Sequence, residues 1–382
     1  MNYNKVIFVC DYAANYAGNF IASLDNLAKQ LDKMQKKVIF IFPNGAKNKN
    51  WEISLSEFKV VYSDFNNDEV LLKSIKNEIL SKDSVIIHTH FINSLFLVKL
   101  KTILSNNDKI VFHQHMAVNY GVKQIVKGII LRLFGFSNTI YIGAIPGFHM
   151  VKGIILRLFG FSNTIYIGVS PAVYNDVCRE VGKNKARLVT NSLDLMRLQS
   201  SNTRMANKAN KNVLIFGSQY KRKGVDLAIK AIQKGHLESK VRLIVVTHTP
   251  DNTKELIKDK FGSIPRFIEV IKPSKNVEEL YKNSFLFLSP SRSEAFGYSV
   301  IEAAYSGLKV IASDIPGQNT LKDVPNIRWI DSENVQQLGS AILDAYQSPK
   351  ENAEDIAKTK KVIEKNYSLD RWVKQIIKIY NE

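Results

Sequence analysis

Two glutamates and a run of cations are the residues of this chain best suited to chemistry. Glu294 and Glu302 stand eight positions apart in Ser293-Glu294-Ala295-Phe296-Gly297-Tyr298-Ser299-Val300-Ile301-Glu302-Ala303. The run Phe285–Leu288 before them reads as a buried strand that Pro290 stops. The run from Tyr298 to Gly307 reads as a short helix ended by glycine. Glu294 is therefore expected in a loop at the C-terminal end of a strand, where open α/β sheets bind ligands. Gly297 and the amides after it would form a helix N-terminus, a seat for phosphate. Glu302 would follow in the second turn of that helix. Carboxylates accept bonds from hydroxyls, so the block suits a ligand that is part phosphate and part polyol, as a sugar nucleotide is. Glutamates eight apart also occur by chance, and the spacing alone would fit an ordinary helix.

A second group is Gly217-Ser218-Gln219-Tyr220-Lys221-Arg222-Lys223-Gly224, between an expected strand and helix. Three cations at a strand's C-terminal end suit a diphosphate; the alternative is an ordinary solvated loop. A third group is histidine: His88 and His90 end one expected strand, His113 and His115 the next. Strand-end histidines are more often structural than catalytic. No Asp-x-Asp and no carboxylate cluster accompanies them, so the sequence predicts no metal centre.

The elements that must hold these groups alternate. Strands are expected at 6–10, 37–42, 59–62, 85–88 and 109–113, with helical patterns between them. Residues 199–212 are polar and aperiodic, a linker. Alternation then restarts with strands at 213–217, 241–246, 267–271, 285–288 and 309–312. This predicts an α/β chain of two Rossmann-like, doubly wound domains facing a cleft. The domains are expected at 1–198 and 213–365, the second holding the glutamate block and the basic loop. The chain closes on a further helical pattern at 366–382. One feature is anomalous: Val126–Gly143 and Val151–Gly168 are identical. A solenoid needs three or more repeats, so a tandem segment duplication explains it better. The second copy runs directly into Val169-Ser170-Pro171, so its Thr164–Gly168 strand is expected in the sheet.

The chain has 382 residues, 45% hydrophobic and 23% charged, with a formal net charge of +18. Such length favours two domains. The charge suits nucleic acid, an anionic membrane or an anionic substrate, but no nucleic-acid module is present. Cys10 and Cys178 show no disulfide or metal spacing. The N-terminal apolar run is too short for a signal peptide, and no run reaches membrane-spanning length. A cytoplasmic protein is expected, at the inner face of the cell membrane if it attaches there. Lys99, Lys101, Lys109, Lys123, Lys127 and Arg132 would provide electrostatic contact with anionic lipid.

The Glu294–Glu302 block with its strand, helix and Pro-Ser resembles the signature of retaining GT-B glycosyltransferases of family 4. The resemblance extends over essentially the whole chain, and it implies that 1–198 is the acceptor-side domain, that 213–365 binds the nucleotide sugar and that the last helix, 366–382, packs back on the first domain. The Lys221-Arg222-Lys223-Gly224 loop is similar to that family's pyrophosphate loop, most of all the form in lipopolysaccharide core glucosyltransferases. It implies a hexosyltransferase of cell-surface polysaccharide synthesis, moving sugar from a nucleotide sugar, UDP-linked, to a glycan or lipid-linked glycan. It implies no cofactor and no metal. By the resemblance, Arg222 and Lys223 neutralise the donor diphosphate, Glu294 contacts the sugar and Glu302 the ribose. Gly217, Phe296, Gly297, Tyr298 and Ser299 would border the donor. His115, with His113 second, would reach the sugar, and Gly18 is what remains of a glycine loop after the first strand. Two positions depart from the pattern: Ser218 stands where many relatives carry arginine, and no glutamate follows Pro316-Gly317. The rival readings are an inactive partner subunit and a GT-B-like epimerase.

Overall fold

The computed structural model describes residues 3–79, 84–94, 96–115, 163–198, 211–274, 277–348 and 353–382. The first duplicate copy, 126–143, and the spacer lie outside the described residues. So do residues 199–210 of the expected linker, and Lys123, Lys127 and Arg132. Two compact units are formed, one by Met1–Thr190 with Trp372–Glu382, the other by Asn191–Arg371.

The first unit carries β1 (Lys5–Cys10), α1 (Gly18–Lys33), β2 (Lys37–Pro43), β3 (Lys59–Ser63), α2 (Asp68–Ile79), β4 (Val85–His90), α3 (Phe96–Lys101), β5 (Lys109–Gln114), β6 (Thr164–Gly168), α4 (Pro171–Val181) and β7 (Ala186–Leu188). The strands are all parallel, in the order β3-β2-β1-β4-β5-β6-β7. β6, the end of the second duplicate copy, pairs directly with β5. β1 and β4 are buried throughout, as strands covered on both faces must be. One face packs on α1 and on the C-terminal residues Trp372, Val373, Ile376 and Tyr380. The other packs on α2, α3 and α4. Ser170 caps α4, its hydroxyl accepting from the Val173 amide with Pro171 behind it.

The second unit carries β8 (Asn212–Phe216), α5 (Val225–Lys234), β9 (Arg242–Val246), α6 (Pro250–Phe261), β10 (Ile268–Ile271), α7 (Val277–Lys282), β11 (Leu286–Ser289), α8 (Tyr298–Tyr305), β12 (Lys309–Ser313), β13 (Ile327–Ile330), α9 (Val335–Gln347) and α10 (Ala353–Tyr367). Its parallel sheet runs β10-β9-β8-β11-β12-β13. α11 (Leu369–Asn381) enters the first unit from Trp372 onward. Both sheets thus reverse strand order once, at β1/β4 and at β8/β11. A doubly wound sheet opens a crevice at that switch point.

The sequence does not predict β7 or β13. β7 is three residues long and β13 buries only its two end residues, Ile327 and Ile330, so neither carries the apolar run that marks a central strand. The membrane-facing lysine set also needs correction. Lys109 is buried, its ammonium donating to the Ile379 and Tyr380 carbonyls at 3.2 and 3.1 Å. It holds the end of α11 and is unavailable to lipid. No described helix is long and apolar enough to cross a membrane.

Candidate active site

In the second unit the basic loop follows β8 and the glutamate loop follows β11, on either side of the switch point. Gly224 allows this. Its φ is +69°, and a Cβ there would stand 2.0 Å from the Pro290 carbonyl oxygen, so only glycine lets the loops touch. Lys223 Nζ then donates to Glu294 Oε1 at 2.5 Å, and Arg222 Nη1 lies 3.2 Å from Oε2. Arg222 also donates to the Ser293 carbonyl at 2.8 Å, and Ser291 Oγ to Glu294 Oε1 at 3.2 Å. Burial pushes the Glu294 carboxyl up, but Lys223 and Arg222 outweigh it and hold it below its ordinary value. It is a fixed anion between two cations. An ammonium has three donors and a guanidinium five, so both cations hold Glu294 with donors to spare for a phosphate.

A residue not singled out from sequence ties the loops together. Arg292 donates to both oxygens of the buried Asp226 at 2.9 and 3.1 Å, and to Glu333 at 2.6 Å. Its guanidinium also donates to the Lys221 carbonyl, and its amide to the Arg222 carbonyl at 2.8 Å. Lys260 completes the junction at Asp226 Oδ2, 2.5 Å away. These partners lie 34 to 71 positions apart in the chain, which no local pattern announces.

Gly297 caps α8 with φ +106°. The first-turn amides of a helix have no intrahelical acceptor, and those of Tyr298 and Ser299 head this one. Phe296 turns its ring into the core, with ring centres 5.2 Å from Tyr298 and 5.9 Å from Tyr367. With its side chain buried, Phe296 can offer a ligand its backbone. Gly317 packs against the Glu294 carbonyl, where a Cβ would stand 2.1 Å away. Gln318 is buried beside it and donates to Ser289 Oγ. Glu302 is nearly buried; Tyr281 donates to its Oε2 at 3.0 Å, and Arg197 lies 3.6 Å from its Oε1. Gly217 has a packing reason, since a Cβ would meet Val245 at 2.6 Å.

In the first unit the histidines come together. β4 and β5 pair His90 with His113 in register. His88 Nε2 and His113 Nδ1 are 3.3 Å apart, and His90 Nδ1 and His115 Nε2 2.8 Å apart. The Tyr380 hydroxyl meets His88 Nδ1 at 2.6 Å. Burial lowers the pKa of His88 and of His115 to about 3, and takes His90 and His113 well below the ordinary imidazole value. All four are neutral. One nitrogen from each of His88, His90 and His113 lies within 4.8 Å of the others, a set able to hold a metal ion. His115 stacks on Phe91 at 4.1 Å. Gly18 opens α1 with φ +56°, and the loop before it is pinned by the Tyr12 hydroxyl donating to the Tyr16 carbonyl at 2.7 Å. The structure thus gathers Glu294, Arg222 and Lys223 at one junction. Glu302 and the α8 amides belong to the same unit, His115 and Gly18 to the other.

Residues 199–366 match the family described as "Glycosyl transferases group 1". The chain is similar to the O-antigen biosynthesis glycosyltransferase WclY of Escherichia coli, 33% identical over 96 residues, which is 25% of this chain. It is also similar to the GtfA subunit of a UDP-N-acetylglucosamine–peptide N-acetylglucosaminyltransferase of Streptococcus parasanguinis, 45% identical over 53 residues, 14% of this chain. The aligned stretches span only 26% and 10% of those relatives' own length. In fold it is similar to Anabaena HepE, crystallised with UDP, at TM-score 0.70 and 14% identity, over 99% of each chain. The chain has the two-domain GT-B fold, and the match to the group 1 family falls on its second domain.

Proposed function

We propose that this chain is a retaining glycosyltransferase of family 4 that uses a UDP-sugar. The observation that carries the reading is the ionic junction of Glu294 with Lys223 and Arg222 at the β8/β11 switch point, inside the stretch that matches the group 1 family. In this reading the diphosphate takes the spare donors of Arg222 and Lys223 and the amides of Tyr298 and Ser299. Glu294, kept anionic, accepts from hydroxyls of the sugar. Glu302 accepts from the ribose while Tyr281 and Arg197 hold it. His115, as a neutral imidazole, contacts the sugar. The bond from the anomeric carbon to the β-phosphate oxygen breaks as the acceptor oxygen attacks on the same face. The departing phosphate takes the acceptor's proton, so no side-chain base is needed and configuration is retained. Charge growing on the leaving phosphate strengthens its bonds to Arg222 and Lys223, which favours the transition state. No divalent metal is required at the diphosphate, because these cations and the helix end neutralise it.

The acceptor in this reading is a glycan or lipid-linked glycan of the cell surface. The likeness to an O-antigen glycosyltransferase supports it. A lipid-linked acceptor would bring the chain to an anionic membrane surface from the cytoplasmic side. Co-sedimentation with anionic vesicles should then fall steeply with salt, and equal binding to neutral vesicles would reject this electrostatic attachment.

The test of the central reading is turnover over a panel of nucleotide sugars, with and without chelator. Product configuration is read by NMR. A UDP-sugar should be consumed, with or without chelator, and its anomeric configuration should survive. Inversion, or turnover that chelator abolishes and Mg²⁺ or Mn²⁺ restores, would overturn the mechanism.

A further inference from the structure

We propose that His88, His90 and His113 form a binding site for a late first-row divalent ion, of which Zn²⁺ is the representative. The site lies in the first unit and is independent of the donor residues in the second. Its geometry is close to what such an ion needs. Zinc–imidazole bonds are about 2.0–2.1 Å, so two nitrogens on one tetrahedral ion stand about 3.3 Å apart. His88 Nε2 and His113 Nδ1 stand at 3.3 Å. The third ligand is His90. Its Nδ1 is engaged with His115 Nε2 at 2.8 Å, while its Nε2 is buried and has no partner among the described residues. A buried imidazole nitrogen without a partner is costly, and a metal ion removes that cost. His113 would bind through Nδ1, and its Nε2 is buried on the far side of the ring without a partner among the described residues.

The chemistry of the donor set selects the ion. Three imidazoles suit zinc, copper or nickel, whereas magnesium and calcium require oxygen ligands. The rings are already in the neutral form that binds metal. Ligating histidines usually engage their second nitrogen with an outer partner that fixes the tautomer. Tyr380 is placed for this at His88 Nδ1, and His115 at His90 Nδ1. His115 is half-buried at the edge of the cluster and offers the way in. An ion here would join β4 to β5 and, through Tyr380, to α11.

The test uses the full-length chain without an affinity tag, stripped with chelator and reloaded with Zn²⁺ alone. Equilibrium dialysis should find one tightly held ion per chain. X-ray absorption should show at least three imidazole nitrogens at about 2.0 Å. His113→Gln should lose affinity at least about 100-fold, Tyr380→Phe about 10-fold, and His236→Gln, at an exposed position after α5 in the second unit, none. The melting temperature should rise with Zn²⁺ in the unaltered chain. Absence of uptake, or fewer than three imidazoles around the ion, overturns the proposal. So does uptake that falls in His236→Gln and persists in His113→Gln. If His113→Gln fails to fold, the absorption spectrum of the unaltered chain decides alone. No readout depends on glycosyl transfer, so this proposal and the assigned activity can fail separately.

Discussion

The two units build their strand ends from opposite electrostatics on the same topology. Each sheet reverses order once, at β1/β4 and at β8/β11. In the first unit the residues beside that point are four neutral imidazoles, three of them buried and His115 half-buried. In the second they are paired charges: Glu294 with Lys223 and Arg222, and Asp226 with Arg292 and Lys260. A buried imidazole without an ion pair favours its uncharged form, so burial lowers its pKa. A carboxylate with two cations keeps its charge despite burial. The switch point therefore fixes where a ligand can sit, while the side chains decide whether that place is neutral or charged.

Acid should break this contrast most visibly. A histidine with a depressed native pKa contributes stability that is complete above the unfolded value of about 6.5 and is lost as pH falls toward the native value. For His88, with a native value of about 3, the loss by pH 5 is about 2 kcal/mol. The other three add to it, less than additively because they interact. Glu294 and Asp226 are also depressed, but their contribution is lost only below the ordinary carboxylate range. Hydrogen exchange on the metal-free chain at pH 7 and pH 5 should show the first unit opening first. Simultaneous opening, or earlier opening of the second, would show that the histidines are not held neutral at this cost.

The next effect is smaller and lies in the second unit. In the proposed reading Glu294→Ala removes hydrogen bonds to the sugar, and it leaves Lys223 and Arg222 without their partner. Losses of this kind cost about 1–3 kcal/mol, so turnover should fall about 5- to 150-fold. His115→Ala removes a neutral contact, worth about 1 kcal/mol, or about 5-fold. Steady-state turnover on the preferred nucleotide sugar measures both. If His115→Ala proves the more damaging, the neutral unit carries the chemistry and the ranking of the two sites is reversed.

What sequence can show of these sites follows from how local each signal is. Glu294, Glu302 and the cations at 221–223 sit in short motifs beside strong apolar strands, so their type, spacing and strand-end placement are all legible. The junction through Arg292 is not, because Asp226 and Glu333 are remote in sequence and an arginine after Pro-Ser looks like any solvated cation. The histidines are legible as two pairs. Their union needs β4 beside β5 in one register, which alternation alone does not specify. Phe296 reads as part of a ligand site because it lies inside the motif. Its orientation depends on Tyr367 of α10, which local sequence does not place. Lys109 reads as a surface charge because lysine so often is one, and the carbonyls that take it belong to the far end of the chain.

The smallest effect asks how far Glu302 owes its position to its neighbours. Tyr281 is fully buried and its hydroxyl donates to Glu302 Oε2 at 3.0 Å, while Arg197 stands 3.6 Å from Oε1. Tyr281→Phe keeps the ring in the core and removes only the donor. A single hydrogen bond of this kind contributes about 1 kcal/mol. UDP affinity should therefore weaken about 5-fold, with turnover at saturating donor little changed. Glu302→Ala removes the acceptor itself and should weaken UDP by more, again mainly in affinity. Titration calorimetry with UDP, alongside thermal melting, separates binding from folding. If both variants melt lower yet bind UDP as tightly as the unaltered chain, Glu302 serves the packing of Tyr281 and Arg197. The second unit's ligand charges would then reduce to the Glu294 junction.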